Sequence, residues 1–215
     1  MPTIHPTPDA LRIPDDWEIL AGADTGTYMA GLICAIPPTD DPPVYVLEEF
    51  PNYHYVGGTI ELSGFTVRQW IARFAMRLRH YTHDTRNHAW VDRNTTFVTE
   101  IAHGLTLRRN HIHGEVRTEV TREYFQLGKV LLAPWLTVLP YEVEHAKWPD
   151  HETSSGRFVR AKSKDHTLDC LEHICSRRPL SVRTTGQAKP RFLDRYLTAH
   201  QHTPTGPADI HLGDL

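Results

Sequence analysis

The chain has 215 residues, 40% of them hydrophobic, and a formal net charge of −3. This composition argues against a fully disordered chain. No apolar run approaches the length of about 18 residues that predicts a membrane span, and the N-terminal residues lack the pattern of a secretory signal. The three cysteines, Cys34, Cys170 and Cys175, form no C-x-x-C pair, which favours free thiols in a reducing compartment.

The charges are distributed unevenly along the chain. Residues 1–66 contain one basic and ten acidic residues, whereas residues 67–215 contain 22 basic and 16 acidic residues. The stretch 157–195 alone has ten basic and four acidic residues. This pattern fits an anionic partner, with nucleic acid as the first choice, but charge alone favours an ordinary solvated surface.

The first part of the chain predicts three strands and a helix. After a leader rich in Pro and Asp over 1–16, apolar runs at 17–23, 28–36 and 44–50 are separated by turn residues. Their short connections favour an antiparallel meander. The apolar residues that follow recur with helical spacing and form one face of a predicted helix: Val67, Trp70, Ile71, Phe74, Ala75 and Leu78.

The middle of the chain predicts alternating strands and helices. A short strand at 88–92 implies a βαβ crossover after the meander. The later predicted elements are a helix around 95–103, a weak strand at 105–108, a helix around 115–127, an apolar strand beginning at 129–132, and a helix over 140–147 with Pro140 in its first turn.

A last helix is predicted after Ser163, which is a plausible N-cap, with Lys164 and Asp165 in the first turn. Its apolar stripe is Leu168, Leu171 and Cys175, while Asp165, Asp169 and Glu172 share another face. Residues 177–215 show little periodicity and predict a basic, partly disordered tail.

Three aspartates stand at the ends of predicted elements. Asp24 ends the first strand, Asp92 ends the strand after the crossover, and Asp165 opens the last helix, with Asp169 one turn further. Strand ends meet at one edge of an α/β sheet, where ligands bind. Three carboxylates at one point stay ionised only with a cation, and Mg²⁺ or Mn²⁺ suits their oxygens. Each aspartate alone is better explained by a turn or cap role.

Over residues 17–176 the order of these segments resembles the nuclease domain of the large terminase subunit of tailed bacteriophages. The matching segments are AGADTGT around Asp24, AWVDRN around Asp92 and KDHTLDCLEHI from Asp165 onward. Cys170 and His173 stand where the family usually has Ala and Tyr. The resemblance implies an α/β fold of ribonuclease H-like type, with a mixed sheet (an antiparallel meander plus parallel strands) flanked by helices.

The resemblance also implies an activity and a domain plan. The expected protein is an endonuclease that uses one or two Mg²⁺ or Mn²⁺ ions to cut double-stranded phage DNA concatemers during genome packaging. Asp24, Asp92 and Asp165 are expected to hold the metal, with Asp169 as a fourth catalytic acid. Residues 1–16 would be a leader or linker, 17–176 the nuclease domain and 177–215 the tail.

Basic residues beside these acids are expected to bind the DNA backbone without reading bases: Arg93, Arg157, Arg160, Lys162 and Lys164. Three nearby residues have open roles. Glu48 and Glu49 point to opposite sides of a strand, so at most one can face the site. His166 either contacts a phosphate or positions a water, or else is a surface residue.

The expected partners follow from the same resemblance. The sequence has no G-x-x-x-x-G-K-[ST] motif, so a packaging ATPase is expected as a separate domain or subunit. The portal and the small terminase subunit are further expected partners, in the host cell cytoplasm, with no membrane contact.

Other functions fit some of these residues. Asp24-Thr25-Gly26 also matches the motif of aspartic proteases, which need two copies, and the phosphate loop of the actin and sugar-kinase superfamily, which needs a second domain. His111 and His113 would share one face of a strand and bind zinc, or else lie in a polar loop. The non-enzymatic alternative is a ribonuclease H-like DNA-binding or packaging scaffold module without cleavage activity.

Overall fold

A computed structural model describes residues 11–81, 88–92, 106–147 and 165–177. The strands are β1 (Glu18–Asp24), β2 (Ala30–Ile36), β3 (Val44–Glu49), β4 (Tyr53–Val56), β5 (Thr59–Leu62), β6 (His88–Asp92), β7 (Thr106–Asn110) and β8 (Val130–Leu132). The helices are α1 (Val67–Tyr81), α2 (Gly114–Gln126), α3 (Val138–His145) and α4 (His166–Cys175). None of these helices has both the length and the apolarity to cross a membrane.

Six of the strands form one mixed sheet in the order β7-β6-β1-β2-β3-β8. Strands β1, β2 and β3 pair antiparallel, as the short connections predict. Strand β6 is parallel to β1, β7 is parallel to β6, and β8 is parallel to β3. The predicted mixed sheet flanked by helices is therefore confirmed. The crossover through α1 returns the chain beside β1, which places two parallel strand ends next to each other.

The predicted elements that fall on described residues are present, with ends that differ by a few residues. The helix expected around 95–103 lies outside the described residues. One element that we did not predict is the hairpin β4–β5. Its turn is formed by Gly57 and Gly58, whose φ angles of 54° and 79° favour glycine. A Gly-Gly pair between two short alternating segments is a hairpin signal that was present in the sequence.

Strand β2 is buried on both faces because helices cover both sides of the sheet. Ile33 and Ala35 pack in the cluster that includes the apolar face of α1. Leu32 and Cys34 pack in the other cluster, which includes residues of α2, α3 and α4. The apolar run of β2 therefore does not alternate with polar residues, as is typical of a central strand. The predicted apolar face of α1 is confirmed, since its members from Trp70 to Leu78 are buried.

Helix α4 begins later than predicted and is buried more completely. Its N-cap is Asp165, because the Asp169 amide donates the first helical hydrogen bond to the Asp165 carbonyl at 3.0 Å. The prediction of Ser163 as the N-cap, with Lys164 and Asp165 in the first turn, was wrong. The predicted stripe of three apolar residues was too narrow, because α4 packs on β1 and β2 and also contacts α2 and α3.

A close approach of two backbones fixes the position of α4 on the sheet. A Cβ atom at Gly22 would lie 2.3 Å from the carbonyl oxygen of Cys170, a separation that real Cβ atoms do not adopt. On the other side of the same helix residue, the Cys170 thiol donates a hydrogen bond to the Ala30 carbonyl at 3.4 Å. Glycine at position 22 therefore allows α4 to rest directly on β1, two residues before Asp24.

The variant Gly22→Ala is expected to lower the free energy of unfolding by roughly 1–3 kcal/mol, because the new methyl group forces α4 away from β1. Urea unfolding measures this change. Gly26→Ala is the matched control, since a Cβ at Gly26 meets nothing within 4 Å, and its effect should stay within about 0.5 kcal/mol. Equal stabilities of the two variants would contradict the close packing of α4 on β1.

Candidate functional site

Strands β1 and β6 end side by side at one edge of the sheet. Gly22 pairs with Trp90 in the parallel ladder between them. Asp24 and Asp92 each follow two residues later, so their backbones lie at the ends of neighbouring strands. The side chain of Asp92 lies outside the described part. This placement agrees with the expected convergence of the two strand ends, while the metal-binding role of both residues stays a prediction.

His166, the first residue of α4, contacts Asp24 directly. Its Nδ1 lies 2.6 Å from Asp24 Oδ2, and the two side chains are 24% and 26% exposed. A carboxylate oxygen can only accept, so Nδ1 donates the proton. The imidazole ring also packs against the rings of Tyr28 and Tyr53, at 5.5 and 5.7 Å between centroids. His166 is therefore partly buried and paired with Asp24, while its expected contact with a phosphate or a water stays a prediction.

The surroundings of His166 favour its protonated form. Burial lowers the pKa of His166, but the hydrogen bond and the negative charge of Asp24 act in the opposite direction, as do the charges of Asp169 and Glu142. The pKa of His166 is therefore raised above its usual value of 6.5. The charged form of this imidazole is thus favoured beside carboxylates, at the edge where a metal ion was predicted.

The remaining acids of the predicted site lie at the start of α4, Asp165 as its N-cap and Asp169 in its first turn. Asp165 precedes His166 and is 4% exposed, while Asp169 is half-buried one turn later. The described structure therefore brings Asp24 and Asp169 close to His166, with Asp165 next to His166 in the chain. Among the described side chains, no group of three or more His, Cys, Asp or Glu is arranged to hold a metal ion. Metal binding by these residues stays a prediction.

The donor set at this edge fits a hard cation. Asp24 offers a partly exposed carboxylate in the turn that follows β1. The hydroxyl of the next residue, Thr25, is buried and has no hydrogen-bond partner among the described residues. Oxygen donors of this kind are the ligands that Mg²⁺ and Mn²⁺ prefer. The turn itself is held by Asn52, whose side chain accepts a hydrogen bond from the Met29 amide at 2.7 Å.

The two glutamates at the end of β3 point to opposite sides of the sheet, as expected. Glu48 binds Arg77 and accepts a hydrogen bond from the Tyr81 hydroxyl, so it anchors α1. Glu49 accepts hydrogen bonds from the amides of Thr137, Val138 and Leu139, at 2.6 to 2.8 Å, and so caps the N-terminus of α3. A carboxylate is well suited to that place because it satisfies amides that have no helical partner.

Glu142 of α3 is a buried acid whose importance we did not predict. Its Oε1 accepts hydrogen bonds from the Tyr53 and Tyr55 hydroxyls at 2.6 and 3.1 Å. Its Oε2 accepts from the Thr167 hydroxyl and from the Leu168 amide, the latter at 2.9 Å. Glu142 therefore ties the hairpin β4–β5 to the first turn of α4. It also satisfies an amide that the Asp165 side chain does not cap.

Local sequence patterns carry only a partial signal for this arrangement. The hydrogen bonds of Glu142 reach residues between 25 and 89 positions away, so no local pattern marks it. Tyr53 and Tyr55 could have been placed on one face of a strand from the Gly57-Gly58 turn, because alternate residues of a strand share a face.

Several other predicted residues lie outside the described residues or differ from the prediction. The predicted DNA-binding residues lie outside the described residues: Arg93, Arg157, Arg160, Lys162 and Lys164. His111 and His113 follow the end of β7 and lie in the connection to α2, so the strand on which they would share a face does not extend to them. Asp24 ends a strand of a mixed sheet that is flanked by helices, and Thr25 and Gly26 follow in the turn. This setting differs from the β fold of an aspartic protease.

Comparison with known proteins agrees with this fold. No protein-family model and no curated protein sequence matches the chain. The large terminase of a thermophilic bacteriophage is similar over 81% of this chain and 42% of that one, with 13% identity and a TM-score of 0.59. The structure of the same terminase in complex with ADP is similar over 79% of this chain and 41% of that one, with 13% identity and a TM-score of 0.57.

The P22 large terminase nuclease domain is similar over 79% of this chain and 86% of that one, with 13% identity and a TM-score of 0.53. The chain therefore spans less than half the length of the thermophilic phage protein but most of the P22 domain. At this identity the similarity establishes the fold alone. The predicted resemblance to terminase nuclease domains of ribonuclease H-like type is confirmed at that level.

Replacing Asp24 should change the protonation of His166. In Asp24→Asn the hydrogen bond to a charged oxygen is lost, so burial dominates and the pKa of His166 falls. Titration of the imidazole signals by nuclear magnetic resonance measures this change, with His166→Gln to assign the signal. In Asp169→Asn only a smaller charge effect is lost, so the shift should be smaller. An unchanged His166 pKa in Asp24→Asn would contradict the contact.

Glu142 should make stability depend on pH. Burial outweighs its hydrogen bonds and raises the pKa of Glu142 above 4.5, so ionisation is harder in the folded chain. The free energy of unfolding should therefore fall as the pH rises from about 4.5 through the raised pKa. Urea unfolding between about pH 4 and pH 8 should show this fall in the wild type and in the exposed control Glu144→Gln. Persistence of the same fall in Glu142→Gln would contradict the assignment.

Proposed function

We propose that the chain is a metal-dependent endonuclease that cuts double-stranded DNA in the packaging of a phage genome. The observation that carries this proposal is the meeting of Asp24, at the end of β1, with the first turn of α4 at the edge where β6 also ends. The likeness in fold to the P22 large terminase nuclease domain and to the large terminase of the thermophilic bacteriophage supports it.

In this proposal Asp24, Asp92 and Asp165 hold one or two Mg²⁺ or Mn²⁺ ions, and Asp169 is a further acid beside them. When bound, such ions activate a water and stabilise the leaving oxygen of a phosphodiester. The predicted basic residues, Arg93, Arg157, Arg160, Lys162 and Lys164, bind the backbone of the DNA in a way that does not depend on its sequence.

The residues around the metal have separate tasks. His166 holds a proton on Nδ1 and donates it in a hydrogen bond to Asp24 Oδ2, which fixes the orientation of that carboxylate. Its positive charge reduces the repulsion between the neighbouring acids before substrate binds. Glu142 holds the first turn of α4 at the Thr167 hydroxyl and the Leu168 amide, and so keeps Asp165 and His166 at the edge.

The proposed partners follow from the larger relatives. The large terminase of the thermophilic bacteriophage has been solved in complex with ADP, and this chain matches 41% of that structure. We therefore propose that a packaging ATPase, as a domain or a subunit, works together with this chain, and that the portal and the small terminase subunit are further partners. The chain acts in the host cell on double-stranded DNA.

One observation favours a second candidate function. Asp24 already has a hydrogen-bond partner in His166, whose charged form is favoured. Among the described side chains, no group of three or more His, Cys, Asp or Glu is arranged to hold a metal ion. A ribonuclease H-like module that binds DNA or a packaging partner without cutting it would need no metal-binding group at Asp24. The cleavage assay below separates the two functions.

The direct test is cleavage of supercoiled plasmid in the presence of Mn²⁺ or Mg²⁺. The wild type should nick and linearise the plasmid, EDTA should abolish cleavage, and Asp24→Asn should lower the rate by at least about 100-fold because it removes a metal ligand. Asp16→Asn, at an exposed position just before β1 and therefore at the opposite end of that strand from Asp24, should retain the wild-type rate. Thermal unfolding confirms that each variant is folded.

Cleavage that persists in EDTA and in Asp24→Asn would rule out the metal mechanism. A folded wild type that binds DNA but does not cut it with either metal would favour the scaffold function.

A further inference from the structure

Two arginines converge on one tryptophan at the other end of α4. The guanidinium carbon of Arg177 lies 3.8 Å from the centroid of the Trp90 ring, and that of Arg108 lies 5.8 Å from it. Arg108 is the register partner of Trp90 in the parallel ladder between β6 and β7. Arg177 follows the C-terminal end of α4 and is exposed. Three separate elements therefore build this cluster.

The cluster brings two positively charged groups to the same ring. Burial and the nearby charge of Arg108 both lower the pKa of Arg177, which means that each works against the positive charge there. No carboxylate in the described part of the chain forms an ion pair with Arg177. A negatively charged group held between the two guanidinium groups would relieve their repulsion.

Stacking on Trp90 prepares Arg177 for such a ligand. A guanidinium group that stacks on a ring uses its flat face, whereas its N–H donors lie in its own plane and can bind the oxygens of a phosphate in a fork geometry. The ring therefore holds the group in place without occupying its donors. The side chain loses less conformational freedom on binding than an unsupported arginine would.

The cluster lies within reach of DNA bound at the candidate site. Trp90 precedes Asp92 by two residues of β6, a separation of about 7 Å. Helix α4, which runs from His166 to Cys175, is about 15 Å long and leads from Asp24 toward Arg177. Both lengths are shorter than one turn of B-DNA, about 34 Å. A duplex that has its scissile phosphate at Asp24 and runs along α4 would extend past the cluster.

We propose that Arg177 and Arg108, supported by Trp90, form a binding site for a backbone phosphate of the DNA, several nucleotides from the bond that is cut. This inference rests on the proposed function, since it assumes that the chain binds DNA. The site recognises the phosphodiester and not the base, so it contributes affinity and orientation but no sequence preference.

The test is binding of a fluorescent duplex of about 30 base pairs in EDTA, where no cleavage occurs, over a series of salt concentrations. Each phosphate contact contributes about 0.9 to the slope of log K against log salt. Arg177→Gln should lower that slope by about 1 and weaken binding roughly three- to tenfold at about 0.1 M salt. Arg177→Lys should keep the slope, because it keeps the charge.

The matched control is Arg73→Gln. Arg73 is also exposed and stacks on an aromatic ring, with its guanidinium carbon 4.4 Å from the Phe65 centroid, but it lies on α1, on the opposite side of the sheet. Arg73→Gln should leave the affinity for the duplex and the slope of log K against log salt unchanged. Arg108→Gln, with its fold checked by thermal unfolding, should repeat the effect of Arg177→Gln. Equal slopes for Arg177→Gln, Arg73→Gln and the wild type would overturn the proposal.

A second arm identifies the source of the phosphate. The binding measurement is repeated with inorganic phosphate in place of chloride, at equal ionic strength. The difference in duplex affinity between wild type and Arg177→Gln should remain. Loss of that difference would assign the cluster to free phosphate and overturn the DNA contact. A wild type that fails to bind the duplex at all would overturn the proposed function itself, whereas normal wild-type binding with no effect of Arg177→Gln overturns this inference alone.

Discussion

The contact between the backbones of β1 and α4 at Gly22 determines where the candidate site forms. Because glycine has no Cβ, the carbonyl of Cys170 can lie directly over β1. The first residue of α4, His166, then reaches Asp24 at the end of the same strand. A larger residue at position 22 would separate the helix from the strand and pull the two apart. The candidate site is therefore a consequence of packing in the core, two residues away.

The acidic residues near this edge have two kinds of role: some stabilise the fold, and others are available for the proposed reaction. Glu49 caps α3, and Glu142 ties α3 to the hairpin and to α4, so both find several hydrogen-bond donors. A buried carboxylate needs such partners, because an unpaired charge in the interior is costly. Asp24 instead stays partly exposed and faces a histidine that is favoured in its charged form. This contrast makes Asp24 the centre of the proposed chemistry.

Much of the fold could be predicted from the sequence, because local patterns determine it. The buried face of α1 follows from helical spacing, and β1, β2 and β3 follow from apolar runs separated by turns. The convergence of Asp24 with α4 was expected from the order of elements in a known fold. Ser163 was misplaced as a cap because the first turn of α4 is satisfied by Glu142, which is remote in sequence. The paired arginines on Trp90 likewise depend on three segments that only the tertiary fold brings together.

The central claim is that the edge formed by Asp24 and the first turn of α4 binds a divalent metal ion. Titration of the folded chain with Mn²⁺, followed by calorimetry or by electron paramagnetic resonance, tests it without any DNA. The account predicts saturable binding by the wild type and by Asp16→Asn, and loss of that binding in both Asp24→Asn and Asp165→Asn. Equal Mn²⁺ binding by all four proteins, or no binding by the folded wild type, would contradict it.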